Sequence, residues 1–218
     1  RFVNQYEAVQ LLFHPFMFAN PLLQPGQENV VNAWGVTNTF PKGVPGSFPV
    51  HTPDKIVVKD IEDWKDYVHA PSLKFTQDQW DMVKAQYDAV DGEQAFKAAF
   101  VAPGLFEQTH HLCEISNALV YYITNPDEMH DLIKYLTEWE LELAEGICSN
   151  LHPDALFHHD DWGGLDSTFM SPAMFNEFLL EPYNHLLSLF LLPIVINILR
   201  ASDVNRTISV LEIYVMSV

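Results

Sequence analysis

Two stretches concentrate side chains that can move protons or hold polar ligands: "GLFEQTHH" over 104–111 and "DALFHHDDWGG" over 154–164. The second ends an apolar run with His158, His159, Asp160, Asp161 and Trp162, then turns on Gly163 and Gly164. Four adjacent polar groups are costly to bury, so they sit at a solvated edge or are gathered at a site. Side chains alternate across a strand, so if the strand runs on through Asp160 and Asp161, one of them faces a cleft and the other is structural. A carboxyl near a second acid or in an apolar pocket has its pKa raised and serves as acid or base, or it pins a ligand amine or amide. The alternative is that both aspartates cap the following loop, accepting backbone N–H groups near Ser167 and Thr168. Glu107 follows a Pro-Gly turn and Phe106, and it is open between substrate contact and a structural hydrogen bond.

His110, His111, His158 and His159 are imidazoles that a metal could use, but neither an HExxH pattern nor a cysteine spacing accompanies them. Hydrogen bonding in a loop or core is the commoner outcome, and the sequence leaves the metal unknown. Cys113 stands at a helix start with no basic partner beyond His110 and His111, which favours a buried structural thiol over an activated one. The chain has no P-loop, GxGxxG or GxSxG, so nucleotide and serine-hydrolase chemistry lack their motifs.

The elements that must position these residues show in the pattern. Residues 1–53 carry many of the prolines and glycines, which predicts loops and short strands in which Phe16, Phe18, Trp34 and Phe40 act as lids or core. "DIEDWKDYVHAP" and "TQDQWDMVKAQYDAV" predict amphipathic helices, the second opening at Thr76. "KAAFVAPG" predicts a buried strand running into a loop, "LCEISNALVYYIT" a helix, and "NPDEMHDLIKYLTEWELELAEGICSNL" a longer one. That longer helix has Asn125 as cap, Pro126 at its first position and Met129, Leu132, Ile133, Leu136, Trp139 and Leu143 as its inward stripe. "DALFHHDDW" then predicts a second strand, and "SPAMFNEFLLEPY" a helix capped by Ser171. Strand, loop, helices, strand, loop, helix is the order of a parallel α/β fold, whose chemistry sits at the C-terminal ends of the strands. Both polar stretches fall there, which argues that they share one site.

The chain has 218 residues, 48% of them hydrophobic, enough for one substantial core. With 29 acidic against 11 basic residues its formal charge is -18, which repels nucleic acid and anionic membrane surfaces. Its two cysteines, without CxxC spacing, point to a reducing, cytoplasmic setting. The N-terminus, "RFVNQYEAVQ", has neither an initiator Met nor a signal-peptide pattern and reads as a chain whose start lies further upstream. The longest apolar run, Leu186 to Leu199, is broken by Pro193 and Asn197. It falls short of the roughly 20 residues that span a bilayer, so no membrane segment is expected.

"FVAPGLFEQTHHL", "NALVYYITNPDEMHDLIKYLTEW" and "DALFHHDDWGGLDSTFMSPAMFNEFLLEPY" resemble the uroporphyrinogen decarboxylase superfamily, which includes corrinoid-dependent methyltransferases. The resemblance runs over 1–183 and implies an α/β fold of the (β/α)8 TIM-barrel type with a Pro/Gly-rich N-terminal extension. After Tyr183 the apolar tail 184–218 departs from the family. A truncated or frameshifted frame explains that, leaving a partial barrel that exposes strand edges and packs poorly or forms a homodimer.

The decarboxylase branch is implied to use an arginine-rich N-terminal motif on its polycarboxylate porphyrinogen, and "LLFHPFMFANPLLQPG" has no such arginine. The resemblance therefore points first to a corrinoid-linked methyltransferase, with uroporphyrinogen decarboxylase and a catalytically incomplete binding segment as alternatives. It implies a small-molecule substrate or a corrinoid protein as partner, and in full-length members a zinc held by later strands. On that reading Asp160 or Asp161 and Glu107 orient the substrate, Trp162 and Phe106 wall the pocket, His110 and His159 hydrogen-bond, and Met170 adds a substrate contact.

Overall fold

The computed structural model describes residues 9–20, 22–164 and 166–186. The residues of the apolar tail from 187 onward, and with them the expectation of a frameshifted end, lie outside that set. The chain runs β1 (Val9–Leu12), α1 (Phe16–Ala19), β2 (Val30–Val31), β3 (Thr37–Thr39), β4 (Phe48–Pro49), α2 (Trp64–Tyr67), α3 (Gln77–Asp88), β5 (Phe96–Val101), α4 (Leu105–Cys113), α5 (Ile115–Thr124), α6 (Pro126–Leu151), β6 (Ala155–His158) and α7 (Pro172–Phe178). Residues 180–186 are again helical. No described helix is long and apolar enough to cross a membrane.

The architecture is mixed α/β. β1, β5 and β6 form a parallel sheet in that order, with Leu11 opposite Ala98 and Val101 opposite His158. Parallel neighbours need long crossovers; α3 lies on the first connection, and α4, α5 and α6 make up the second. One face, through Ala99, Val101 and Leu156, joins the main core. The other presents Val9, Leu11, Phe96 and Phe157, which are 47%, 51%, 61% and 39% exposed. A closed barrel is not formed by the described residues. A small antiparallel sheet, β2–β3–β4, stands apart within the Pro/Gly-rich N-terminal part. Phe16 and Trp34 of that part are core residues, whereas Phe18 is half exposed.

Local chemistry explains most element ends. Thr76 and Gln79 make a reciprocal capping box at the start of α3, and Ser171 accepts the Met174 N–H ahead of Pro172. α6 starts on Pro126 with two acids in its first turn, but Asn125 does not cap it, because its side chain instead accepts from the Thr124 hydroxyl at 2.7 Å. Of the expected inward stripe, Met129, Leu132, Ile133, Leu136 and Leu143 are buried. Trp139 is partly buried, with its ring edge-on to Trp34 and Phe16 and its indole N–H donated to the Pro71 carbonyl.

Three expectations are corrected. The segment around Asp60 makes only the single turn α2, with no side-chain cap, before the chain extends at Val68. "LFEQTHH" is no loop, since α4 begins there directly after Gly104. The helix expected over 112–124 is two: Glu114, at φ 73, breaks the path, and its carboxylate accepts the Asn117 N–H to start α5.

Tyr87, buried on α3, donates its hydroxyl to the Phe13 carbonyl at 3.0 Å and so ties that helix to the end of β1. Tyr87→Phe is expected to cost about 1 kcal/mol in chemical denaturation. Leu132→Ala, in the fully buried α6 stripe, is expected to cost about 3 kcal/mol.

Candidate functional site

The site is built on the start of α4. β5 ends at Val101, and Gly104 is the N-cap, leaving the first N–H groups of the helix without intrahelical partners. Asp160, two residues beyond β6, supplies them. Its Oδ2 accepts the Phe106 N–H at 3.0 Å, and its Oδ1 accepts the Glu107 N–H at 2.7 Å. The Leu105 N–H goes to the Tyr183 hydroxyl at 3.1 Å, and that hydroxyl donates in turn to Asp160 Oδ2. Trp162 donates its indole N–H to the same oxygen at 2.7 Å. Four donors on one carboxylate, at the positive end of a helix, make a cap assembled from three separate segments. Gly104 is required for space, since a Cβ there would lie 2.6 Å from Asp160 Cγ and 2.8 Å from His158 Cε1.

Anchored by that cap, Glu107 lines a cavity of about 360 Å³. Its Oε2 is buried and accepts no hydrogen bond. His111 Nε2 lies 3.6 Å from Oε1, and His159 Nε2 lies 3.9 Å from Oε2. Burial, reinforced by Asp160 and Asp161 and opposed by His158, pushes the Glu107 carboxyl up to about 8. It is therefore protonated at neutral pH. Burial pulls His110 below the ordinary imidazole value, and burial with His110 and His51 pulls His111 down to about 3. Both are neutral groups at neutral pH.

A second buried pair joins the lining residue Glu140 to His158. His158 Nε2 and Glu140 Oε2 are 2.9 Å apart, with side chains only 8% and 4% exposed. Burial opposes charge on His158, but the Glu140 carboxylate outweighs it and holds the imidazole above its ordinary value. Around the cavity stand the aromatic rings of Phe16, Trp34, Phe48, Phe100 and Trp139 and the polar groups of Glu107, Gln108, Glu140 and Asp161. No lysine or arginine is among the described residues that line it.

Glu107, His110, His159 and Asp161 thus come together on one cavity. Asp161 is exposed at its edge, and its carboxylate accepts the Gly163 N–H of its own loop at 3.4 Å. β6 stops at His158, so strand alternation does not separate the two aspartates; the hydrogen bonds of Asp160 do. Asp160 caps a helix rather than the loop at Ser167 and Thr168. That loop is closed by its own backbone, with the Gly164 N–H donated to the Ser167 carbonyl. Phe106 is fully buried against Tyr122 and Phe169. Trp162 packs on Phe175 and Tyr183. Met170 is buried, and its carbonyl accepts the Thr168 hydroxyl. None of these three is among the residues that line the cavity.

Glu140 and Gln108 are cavity residues that the sequence reading passed over. Glu140 had a signal, as an acid four residues after Leu136 and three before Leu143, on the buried stripe of α6. Among the described residues, no three His, Cys, Asp or Glu side chains are placed to hold a metal, so the zinc of the resembled family finds no ligand set there. Cys113 is buried, and burial pushes its thiol up to about 12. No protein-family model, curated protein or solved structure matches the chain.

Asp160→Ala leaves buried donors without an acceptor and is expected to lower the unfolding free energy by about 3 kcal/mol, with Asp161→Ala within about 0.5 kcal/mol of the wild type in urea titrations. Glu107 binds its proton more tightly folded than unfolded, so its contribution falls as pH rises from about 4.5 through about 8. Glu107→Gln is therefore expected to gain stability over the wild type on going from pH 5 to pH 8, measured as the difference between their unfolding curves.

Proposed function

We propose that this chain belongs to an enzyme of the uroporphyrinogen decarboxylase superfamily, of the corrinoid-linked methyltransferase kind, acting at the C-terminal ends of its strands in a reducing, cytoplasmic setting. The observation that carries this reading is Glu107, an acid lining an aromatic cavity, whose Oε2 is buried without a hydrogen bond and whose carboxyl burial pushes up to about 8. Three parallel strands in chain order, with an exposed apolar face, support their being part of a (β/α)8 barrel.

In this reaction Glu107 gives its proton to the heteroatom that carries the methyl group. The carbon–heteroatom bond breaks, its electron pair stays on the heteroatom, and the methyl group passes to the acceptor. A corrinoid carried by a partner protein supplies the nucleophile when it is bound. His111 and His159 lie beside Glu107, and the aromatic walls exclude water. Decarboxylation of a porphyrinogen is the weaker reading, since a polycarboxylate needs cations and the described lining offers carboxyl groups and no lysine or arginine.

With chemically reduced cobalamin as acceptor and a panel of methylated amines, thiols and aryl ethers as donors, one donor is expected to methylate the corrinoid, read by its absorbance. Glu107→Gln is expected to slow that transfer about 100-fold, and the wild-type rate to fall above pH of about 8 as the acid loses its proton. Uroporphyrinogen consumption by the chain, or an unaffected Glu107→Gln rate, contradicts the proposal.

A further inference from the structure

One wall of the cavity comes from the Pro/Gly-rich N-terminal part. Asn32, Trp34, Asn38, Phe48 and Pro49 line it, and all lie in the antiparallel meander β2–β3–β4, residues 24–50 with its turns. Trp34 and Val36, between β2 and β3, are 4% and 2% exposed and belong to the main core. The Trp34 ring meets Trp139 of α6 edge-on at 4.9 Å. Phe48 is different. It lines the cavity yet is 50% exposed, which places it at the mouth.

The meander keeps its hydrogen bonds to itself. Among the described residues, every backbone-to-backbone bond made by residues 24–50 closes within that segment: Gly26 N–H to the Phe40 carbonyl, Phe40 N–H to the Gln27 carbonyl, Val50 N–H to the Thr37 carbonyl and the strand ladders. The bonds that leave it run from the Ala33 N–H, beside Trp34, to Asn20 at 3.2 Å, and from the Lys55 ammonium to Asn29. None goes to α4 or α6. Just past β4, His51 donates its Nε2–H to the His111 carbonyl of α4 at 3.0 Å. The segment is therefore pinned at two places, by Trp34 with Val36 and by His51. A body that is pinned at its ends and bonded internally turns without breaking its own ladders.

We propose that residues 24–50 form a lid that swings as one body about those two anchors, admitting ligands to the cavity and shutting water out once they are bound. Phe48 is the side chain that the swing carries across the mouth, and its exposed ring gains burial by closing on a ligand. The lid is independent of the methyl-transfer reading, since any ligand of the cavity meets it.

Alkylation of buried thiols in the full chain by N-ethylmaleimide, read by peptide mass, tests it. Leu136 of α6 lines the cavity and is 1% exposed, so Leu136→Cys reports cavity opening. Cys113, fully buried and outside the lining, reports unfolding in the same molecule. Leu136→Cys is expected to react at least about 30-fold faster than Cys113. His51→Ala removes one anchor and is expected to raise that ratio about fivefold. Val36→Ala, at the other anchor, is expected to raise it as well. Hydrogen exchange of the Gly26 and Phe40 amides is expected to stay unchanged in both, because a swinging lid keeps its own hydrogen bonds.

Leu136→Cys reacting no faster than Cys113 overturns the lid, since the cavity then opens only when the chain unfolds. A fast reaction that neither anchor variant changes also overturns it, because the cavity then stands open without any swing. So does exchange at Gly26 and Phe40 that speeds up in step with alkylation, which means that the segment unfolds and does not swing. Lid opening without methyl transfer sinks the enzyme reading alone, whereas methyl transfer by a chain in which Leu136→Cys lags with Cys113 sinks the lid alone.

Discussion

The Asp160 carboxylate at the amino end of α4 is the contact on which the rest of the site depends. A helix that starts straight out of a strand has backbone N–H groups to satisfy, and here their acceptors come from elsewhere in the chain. Asp160 lies beyond β6, and Tyr183 in the helical stretch over 180–186. The cap therefore closes only when β5, β6 and that last stretch are all in place. Gly104 is the space this requires, because any side chain there would collide with Asp160 and His158.

Beside that cap sits an acid of different chemistry. Asp160 and Glu107 are joined through a backbone N–H, yet their surroundings differ completely. One carboxyl takes four hydrogen bonds; the other has an oxygen that takes none. Burial is the main reason that Glu107 keeps its proton, and the charge of Asp160 beside it adds to the effect. Two acids close together in one site thus differ, one fixed by donors and one pushed toward neutrality. The buried His158–Glu140 pair adjoins this arrangement, and His158 opposes the rise in the Glu107 value.

Much of this was legible in the sequence. Parallel α/β order, the α6 stripe, the Thr76 and Ser171 caps and the convergence of the two polar stretches all follow from local patterns that the structure keeps. Less visible was anything that needs a partner far along the chain. The assignment of Asp160 to a helix cap depends on Tyr183 and on a helix that "GLFEQTHH" does not announce, since Gly104 and two histidines resemble loop chemistry. Glu140 reads as one of many acids on a long surface helix until its spacing from Leu136 and Leu143 is weighed. Phe106, Trp162 and Met170 are apolar residues next to polar ones, and only packing shows that they do not line the cavity.

The central claim is that Glu107 is a neutral acid at neutral pH, and carboxyl carbon NMR of the chain labelled at glutamate, with Glu107→Gln assigning the resonance, tests it most directly. The account predicts a titration midpoint near pH 8 for that one side chain, which burial sets. A midpoint in the ordinary glutamate range would mean that Glu107 is solvated and ionised, and that the cavity holds no acid.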